Sequence, residues 1–135
     1  MGKQSFTKGV HRSQIIWHRA QNVAGQVDCS IETALFTGQV IYANGERGTY
    51  IGAEVVGLVG DPEVFCGNAI IVLEDGSISN QTFEGKTETI NGPDSFVGTG
   101  TWRMASGTGR FADLRGGGQF KWSLVGDRYE DEFSD

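Results

Sequence analysis

The sequence predicts an all-β domain, an antiparallel barrel of about eight strands, and three observations carry that prediction. Glycine supplies 21 of the 135 residues, roughly twice its usual share, while proline supplies only two. Apolar and polar residues alternate over much of the chain, which is the period of a half-buried strand. Turn-forming groups interrupt the alternation at Asn44-Gly45, Gly60-Asp61-Pro62, Asp75-Gly76, Asn91-Gly92-Pro93 and Gly107-Thr108-Gly109, at the spacing antiparallel hairpins require.

Strands are expected over residues 4–10, 12–19, 26–37, 38–43, 49–59, 63–74, 77–89, 96–105 and 117–125, some of them continuous through a bend. In 26–37 the residues Val27, Cys29, Ile31 and Leu35 read inward against Asp28, Ser30 and Glu32. In 77–89 the polar parity is Ile78, Asn80, Thr82, Glu84, Lys86 and Glu88, leaving Ser79, Gln81, Phe83, Gly85 and Thr87 inward. The stretches 49–59 and 63–74 are apolar on both parities: Ile51, Ala53 and Val55 oppose Tyr50, Val56 and Leu58, and Phe65, Ala69 and Ile71 oppose Val64, Ile70 and Val72. In a barrel the outward one then needs cover, most simply from another subunit, so a homo-oligomer, dimer or trimer, is expected. The C-terminal hairpin turns Trp102, Met104, Phe120 and Trp122 inward, and Arg110 to Leu114 reads as a single helical turn. Gly98 and Gly100 stand at strand positions without a side chain to pack, a mark of strong bending, a bulge or close backbone approach in a sheet that rolls up.

Within that hairpin, the run SGTGRFADLRGGG after a Thr-Trp-Arg strand resembles the signature of the allene oxide cyclase and dirigent-like β-barrel superfamily, including its small bacterial members; Thr82-Phe83-Glu84-Gly85-Lys86 is similar too. The motif covers about a fifth of the chain. The resemblance implies a calycin-like barrel whose lumen folds a flexible substrate into a reactive shape. No catalytic motif of the superfamily matches residue by residue.

Composition narrows the classes further. The length fits one domain spanning residues 1–135. A net charge of −6, with 11 scattered basic residues, lacks the basic stripe that phosphate backbones demand, so no nucleic-acid partner is expected. The start, MGKQSF, carries no apolar leader and has Phe6 where a myristoylation signal wants Ser or Thr, which points to a cytoplasmic protein without a membrane partner. Cys29 and Cys66 belong to no ligand spacing and read as buried reduced thiols. Residues 1–19 carry Lys3, Lys8, Arg12 and Arg19 without an acid, while residues 127–135 carry Asp127, Glu130, Asp131, Glu132 and Asp135 against Arg128. These charges either face each other across a seam between first and last strands or belong to solvated tails.

Glu54 is the sharpest candidate residue. It lies in TYIGAEVVGLVG, where a lumen-facing carboxylate among hydrocarbon would have its pKa raised by desolvation and suit proton transfer near neutral pH. The plainer reading places it outside, paired with Arg or Lys. Tyr50 and Asn68 are candidate hydrogen-bond donors to a ligand oxygen, with Asn68 sharing a lumen face with Cys66 and Ile70; structural partners within the barrel are the plainer role for both. Cys66 as a nucleophile lacks an adjacent base. His11 and His18, seven residues apart, fall on opposite faces of a regular strand, which argues against a metal site; His18 remains a candidate acid/base group or carboxylate partner at a barrel mouth, beside Arg19 or Arg103. The glycine runs contain neither a phosphate loop nor a dinucleotide fingerprint, and no nucleophile elbow occurs. Trp102, Trp122, Phe83, Met104 and Phe120 are core or pocket wall.

On the strength of the resemblance, the favoured function is a cofactor-independent enzyme of isomerase, cyclase or lyase type on a small hydrophobic, oxygenated molecule in the lumen, with Glu54 as acid/base, Tyr50 and Asn68 as donors and the aromatic set as walls. No metal or cofactor is expected. The alternatives are a ligand-binding or dirigent-like barrel without chemistry of its own, and a structural barrel with a filled lumen.

Overall fold

A computed structural model describes residues 6–22, 30–57, 64–93 and 95–135. The strands are β1 (Gly9–Asn22), β2 (Ser30–Tyr42), β3 (Arg47–Val56), β4 (Val64–Leu73), β5 (Ile78–Ile90), β6 (Ser95–Gly107), β7 (Gly117–Val125) and β8 (Arg128–Ser134). They form a closed barrel in chain order, each antiparallel to its neighbours. The seam is β1 against β8, running from Gly9 opposite Phe133 to Gln14 opposite Arg128. Side chains of the two chain ends meet across it: Arg12 Nε lies 3.4 Å from Glu130 Oε1 as an ion pair, and the neutral Gln14 Nε2 donates to Asp127 Oδ2 at 2.9 Å. The expected pairs 4–10/12–19 and 26–37/38–43 are single strands, β1 and β2.

The acidic C-terminal run, absent from the expected strands, is the whole of β8. Its parity explains this: Tyr129, Asp131 and Phe133 turn toward the lumen while Arg128, Glu130, Glu132 and Ser134 face water. Outward carboxylates give the segment the composition of a tail although its inner face is aromatic.

β2 corrects a second expectation. Ala34 and Phe36 are buried and Leu35 is 42% exposed, so the inward parity is the reverse of the one that Ile31 and Leu35 suggested. Both parities are apolar, and the neighbouring strand decides between them. Phe36 lies over Gly52 of β3, where a Cβ would collide with its ring. Val27, Cys29, Leu58 and the Gly60-Asp61-Pro62 turn lie outside the described residues.

A bulge in β1 separates Ile15, opposite Phe36, from Trp17, opposite Leu35, leaving Ile16 as the extra residue. That extra residue shifts the parity of everything after it. His18 therefore pairs with lumen-facing Ala34, on the same face as His11, which the regular-strand reading had put on the opposite side.

One end of the barrel is a floor. Phe6 stacks edge-on against Tyr42 and Phe111 at 5.0 and 4.9 Å, with Leu73 and Leu114 buried beside them. The single helical turn, a 3-10 turn over Gly109–Phe111, delivers Phe111 to this position. It is tied to the β4–β5 turn by the Arg110 amide donating to Ser77 Oγ at 3.0 Å. At the opposite end, the rim, β1, β3, β5 and β7 finish and β2, β4, β6 and β8 begin. Among the described residues no helix is long and apolar enough to cross a membrane.

Candidate functional site

The lumen is built by setting rings over glycines. A Cβ at Gly67 would lie 2.5 Å from Phe83 Cζ, one at Gly85 2.6 Å from Phe65 Cζ, and one at Gly98 2.7 Å from Trp122 Cζ2. Gly100 similarly underlies Phe120. The first Gly-Thr-Gly thus clears space for Trp122 and Phe120 on β7, because residues two apart on a strand point the same way. The rings then pack edge to face: Phe65 against Trp122 at 5.6 Å and Phe83 against Phe120 at 6.2 Å. A cavity of about 50 Å³ remains among them, bordered also by the polar residues His11, Ser13, Tyr50, Glu54, Gln81, Tyr129 and Asp131.

Glu54 is 7% exposed and on the lumen side. Its same-face neighbours along β3 and across on β4 are Gly52 and Gly67, over which the rings of Phe36 and Phe83 lie. Burial raises its pKa from 4.5 to about 7; the hydrogen bond from Tyr129 opposes the rise, and the nearby Glu32 charge adds to it. The Tyr129 hydroxyl donates to Glu54 Oε1 at 2.6 Å. Burial, followed by the Glu54 charge and the bond to it, drives the Tyr129 phenol well above its ordinary value, so it stays a neutral donor. Tyr50, 5% exposed, is likewise raised by burial and then by Asp131 and Glu54.

A second polar pair occupies the β1–β8 seam. His11 Nδ1 lies 2.8 Å from Asp131 Oδ1, and the imidazole is sandwiched between Tyr50 at 4.3 Å and Phe133 at 4.6 Å. Its Nε2 is buried without a hydrogen-bond partner, as is the indole Nε1 of Trp122. Deeper in, Gln81 Nε2 donates to Ser79 Oγ at 3.0 Å, and Ser79 Oγ donates to Met104 Sδ at 3.3 Å.

Of the residues the sequence singled out, Tyr50, Glu54, Phe83, Trp102, Phe120 and Trp122 border the cavity. Met104 is buried but sits behind Ser79, outside the lining. Asn68 and Cys66, expected in the lumen with Ile70, are on the outer surface. Phe65, Ala69 and Ile71 take the inward parity because Phe65 needs the bare backbone of Gly85 beneath its ring. Asn68 Nδ2 donates instead to Asn80 Oδ1 at 2.7 Å and to the Gln81 carbonyl at 2.8 Å. His18 reaches the rim, largely exposed, 3.8 Å from Glu32 Oε1. Sequence reasoning missed Tyr129, Asp131 and the lumen role of His11. The signal was the Tyr129/Asp131/Phe133 alternation inside the acidic tail. Among the described residues no three His, Cys, Asp or Glu side chains gather as a metal-binding set.

No protein-family model matches the chain, and searches of curated proteins and of solved structures return no match. The resemblance to allene oxide cyclase and dirigent-like proteins thus has the barrel alone on its side, and what the chain itself establishes is a closed antiparallel barrel of eight strands.

Proposed function

We propose that the protein is a cofactor-independent enzyme of isomerase, cyclase or lyase type that moves a proton on a small, oxygenated, largely apolar molecule held in the lumen. The observation that carries this reading is Glu54: a lumen-side carboxyl whose pKa is raised to about 7, with the neutral Tyr129 phenol at 2.6 Å. At neutral pH such a group populates its acid and its base, the condition for efficient general acid/base catalysis. Apolar rings around it supply the shape that holds a flexible substrate near its reactive conformation. With Asn68 outside, Tyr129 and Tyr50 are the donors that fit the role of polarising a ligand oxygen.

The cavity volume of about 50 Å³ sets a size limit, since pockets for drug-sized ligands run to roughly 300–1,000 Å³. It suits a molecule of a few heavy atoms. A larger one requires the half-buried rings of Phe83, Phe120 and Tyr129 to turn aside. The aromatic walls and neutral phenols would serve a second reading equally, a non-catalytic ligand-binding or dirigent-like barrel. Glu54→Gln separates them: it keeps the carboxyl's shape but transfers no proton. For the enzyme, turnover of a substrate found by screening small oxygenated compounds falls about 10²-fold or more, with binding retained. Unchanged turnover overturns the role given to Glu54.

A further inference from the structure

We infer that His11, oriented by Asp131, is the base that removes a proton from carbon α to a carbonyl, and that the indole N–H of Trp122 holds the carbonyl oxygen. This inference rests on the proton-transfer reading above and gives that site a second reactive group and a substrate class, a small enolisable ketone or aldehyde.

The argument begins with one rung of the sheet. His11 on β1 lies opposite Asp131 on β8, and Asp131 lies opposite Trp122 on β7. All three border the same cavity. A carboxylate only accepts hydrogen bonds, so the Nδ1 facing Asp131 at 2.8 Å carries a proton, and in the neutral form of the ring the lone pair lies at Nε2. That Nε2 has no partner, although His11 is only 8% exposed. Trp122, also 8% exposed, has an equally unpartnered Nε1, which is donor only. Leaving a buried polar group unsatisfied is costly, and two such atoms on one rung, one acceptor and one donor, describe a missing molecule of opposite pattern. A carbonyl oxygen satisfies the indole N–H, and an acidic C–H beside that carbonyl satisfies the imidazole.

The stacking of His11 between Tyr50 and Phe133 fixes the ring plane, so Nε2 does not swing toward solvent. Tyr129, which holds Glu54, is two residues from Asp131 on the same face of β8, a step of about 7 Å. The two proton-active pairs therefore stand about one short substrate apart. Nε2 takes the α-proton, and the C–H electron pair becomes the C=C of an enolate whose negative oxygen is held by Trp122. The Glu54 acid then returns a proton to the γ-carbon, where a β,γ-double bond in the substrate carries the enolate charge there, or to a departing β-oxygen. A proton passing from imidazolium to Glu54 carboxylate restores the start, and no oxidant or reductant is consumed.

The test uses acetone as probe, a four-heavy-atom ketone that suits the cavity, with α-hydrogen exchange in D₂O followed by proton NMR. Exchange should run faster with the protein than in buffer alone and fall about 10²-fold in His11→Phe, which keeps the stacked ring. Absence of acceleration by the unaltered protein, or exchange that survives His11→Phe, overturns the inference. Loss of exchange in Glu54→Gln with full retention in His11→Phe overturns it while leaving the role of Glu54 standing. Loss in His11→Phe with retention in Glu54→Gln supports it and removes Glu54 from the abstraction step. Asp131→Asn provides the check that folding alone cannot mimic. Imidazole nitrogen NMR should show the Nδ1–H tautomer in the unaltered protein and lose that preference in the variant, with exchange down about tenfold; an unmoved tautomer denies Asp131 its positioning role.

Discussion

At the scale of single residues, the Glu54 carboxyl links pH to stability with a definite sign. Its folded pKa of about 7 lies above the ordinary 4.5 because burial disfavours the ion. As pH rises through this window the unfolded chain gives up the proton first, so the folded state is the better proton binder and stability falls. The loss is complete above about 7 and amounts to about 3 kcal/mol, since each tenfold difference in proton affinity between the two states is worth about 1.4 kcal/mol. Glu54→Gln escapes it. Urea unfolding should show the variant gaining on the parent by up to that amount at pH 8 and little difference near pH 4.5, whereas a gap independent of pH means the carboxyl is hydrated. The groups facing Glu54 are Tyr129 of β8 and Glu32 of β2, with Tyr50 on its own strand β3. Removing the donor in Tyr129→Phe should push the Glu54 titration above about 7, and removing the neighbouring charge in Glu32→Gln should bring it down. Carboxyl-carbon NMR reads both directions.

At the scale of strands, the ring-over-glycine pairs make particular glycines as sensitive as core aromatics. Gly67→Ala drives a methyl toward Phe83 Cζ at 2.5 Å and against the backbone of β3, so the neighbour cannot simply rotate away. A loss of about 1–3 kcal/mol or more is expected from such overpacking, read as a lowered urea midpoint. Gly45→Ala, with nothing within 4 Å but φ at +88°, should cost only about 1 kcal/mol from the turn backbone. The same pairs explain what the sequence disclosed. Parity was readable where one face is polar, as in β5; at Glu54 the sequence left both faces open, and the structure places the carboxyl on the lumen side. It failed in β2 and β4, where both faces are apolar and the choice is made by Gly52 and Gly85 on the adjacent strands, a relation between residues distant in sequence. His18 was misplaced by the Ile16 bulge, which has no local signature. The charge complementarity of the termini did announce the β1–β8 seam, yet the same acids hid the inner face of β8, and with it Tyr129 and Asp131.

At the scale of the whole molecule, closure depends on the first and last strands. Deleting residues 1–10 removes Phe6 from the floor and Gly9 and Val10 from the seam, so the thermal midpoint should drop by many degrees, roughly 4 °C for each kcal/mol lost in a domain of this size. An unchanged midpoint would show that the floor does not need its N-terminal ring. On the outer wall, Trp17, Leu35, Ile51 and Ile70 are 46%, 42%, 53% and 38% exposed on adjacent strands β1 to β4. A dimer or trimer covering this stripe is the expected state in sedimentation at micromolar concentration, with Ile51→Lys shifting it to monomer; a monomeric parent removes the proposal. The floor has a further meaning for turnover. Phe6, Phe111 and Leu114 close one end and the wall is hydrogen-bonded all the way round, so among the described residues the rim is the end left for a ligand to pass. If the lumen turns over a substrate as proposed, product leaves by the way substrate came; product should then inhibit competitively, and a bulky side chain placed at the rim should slow arrival and departure together.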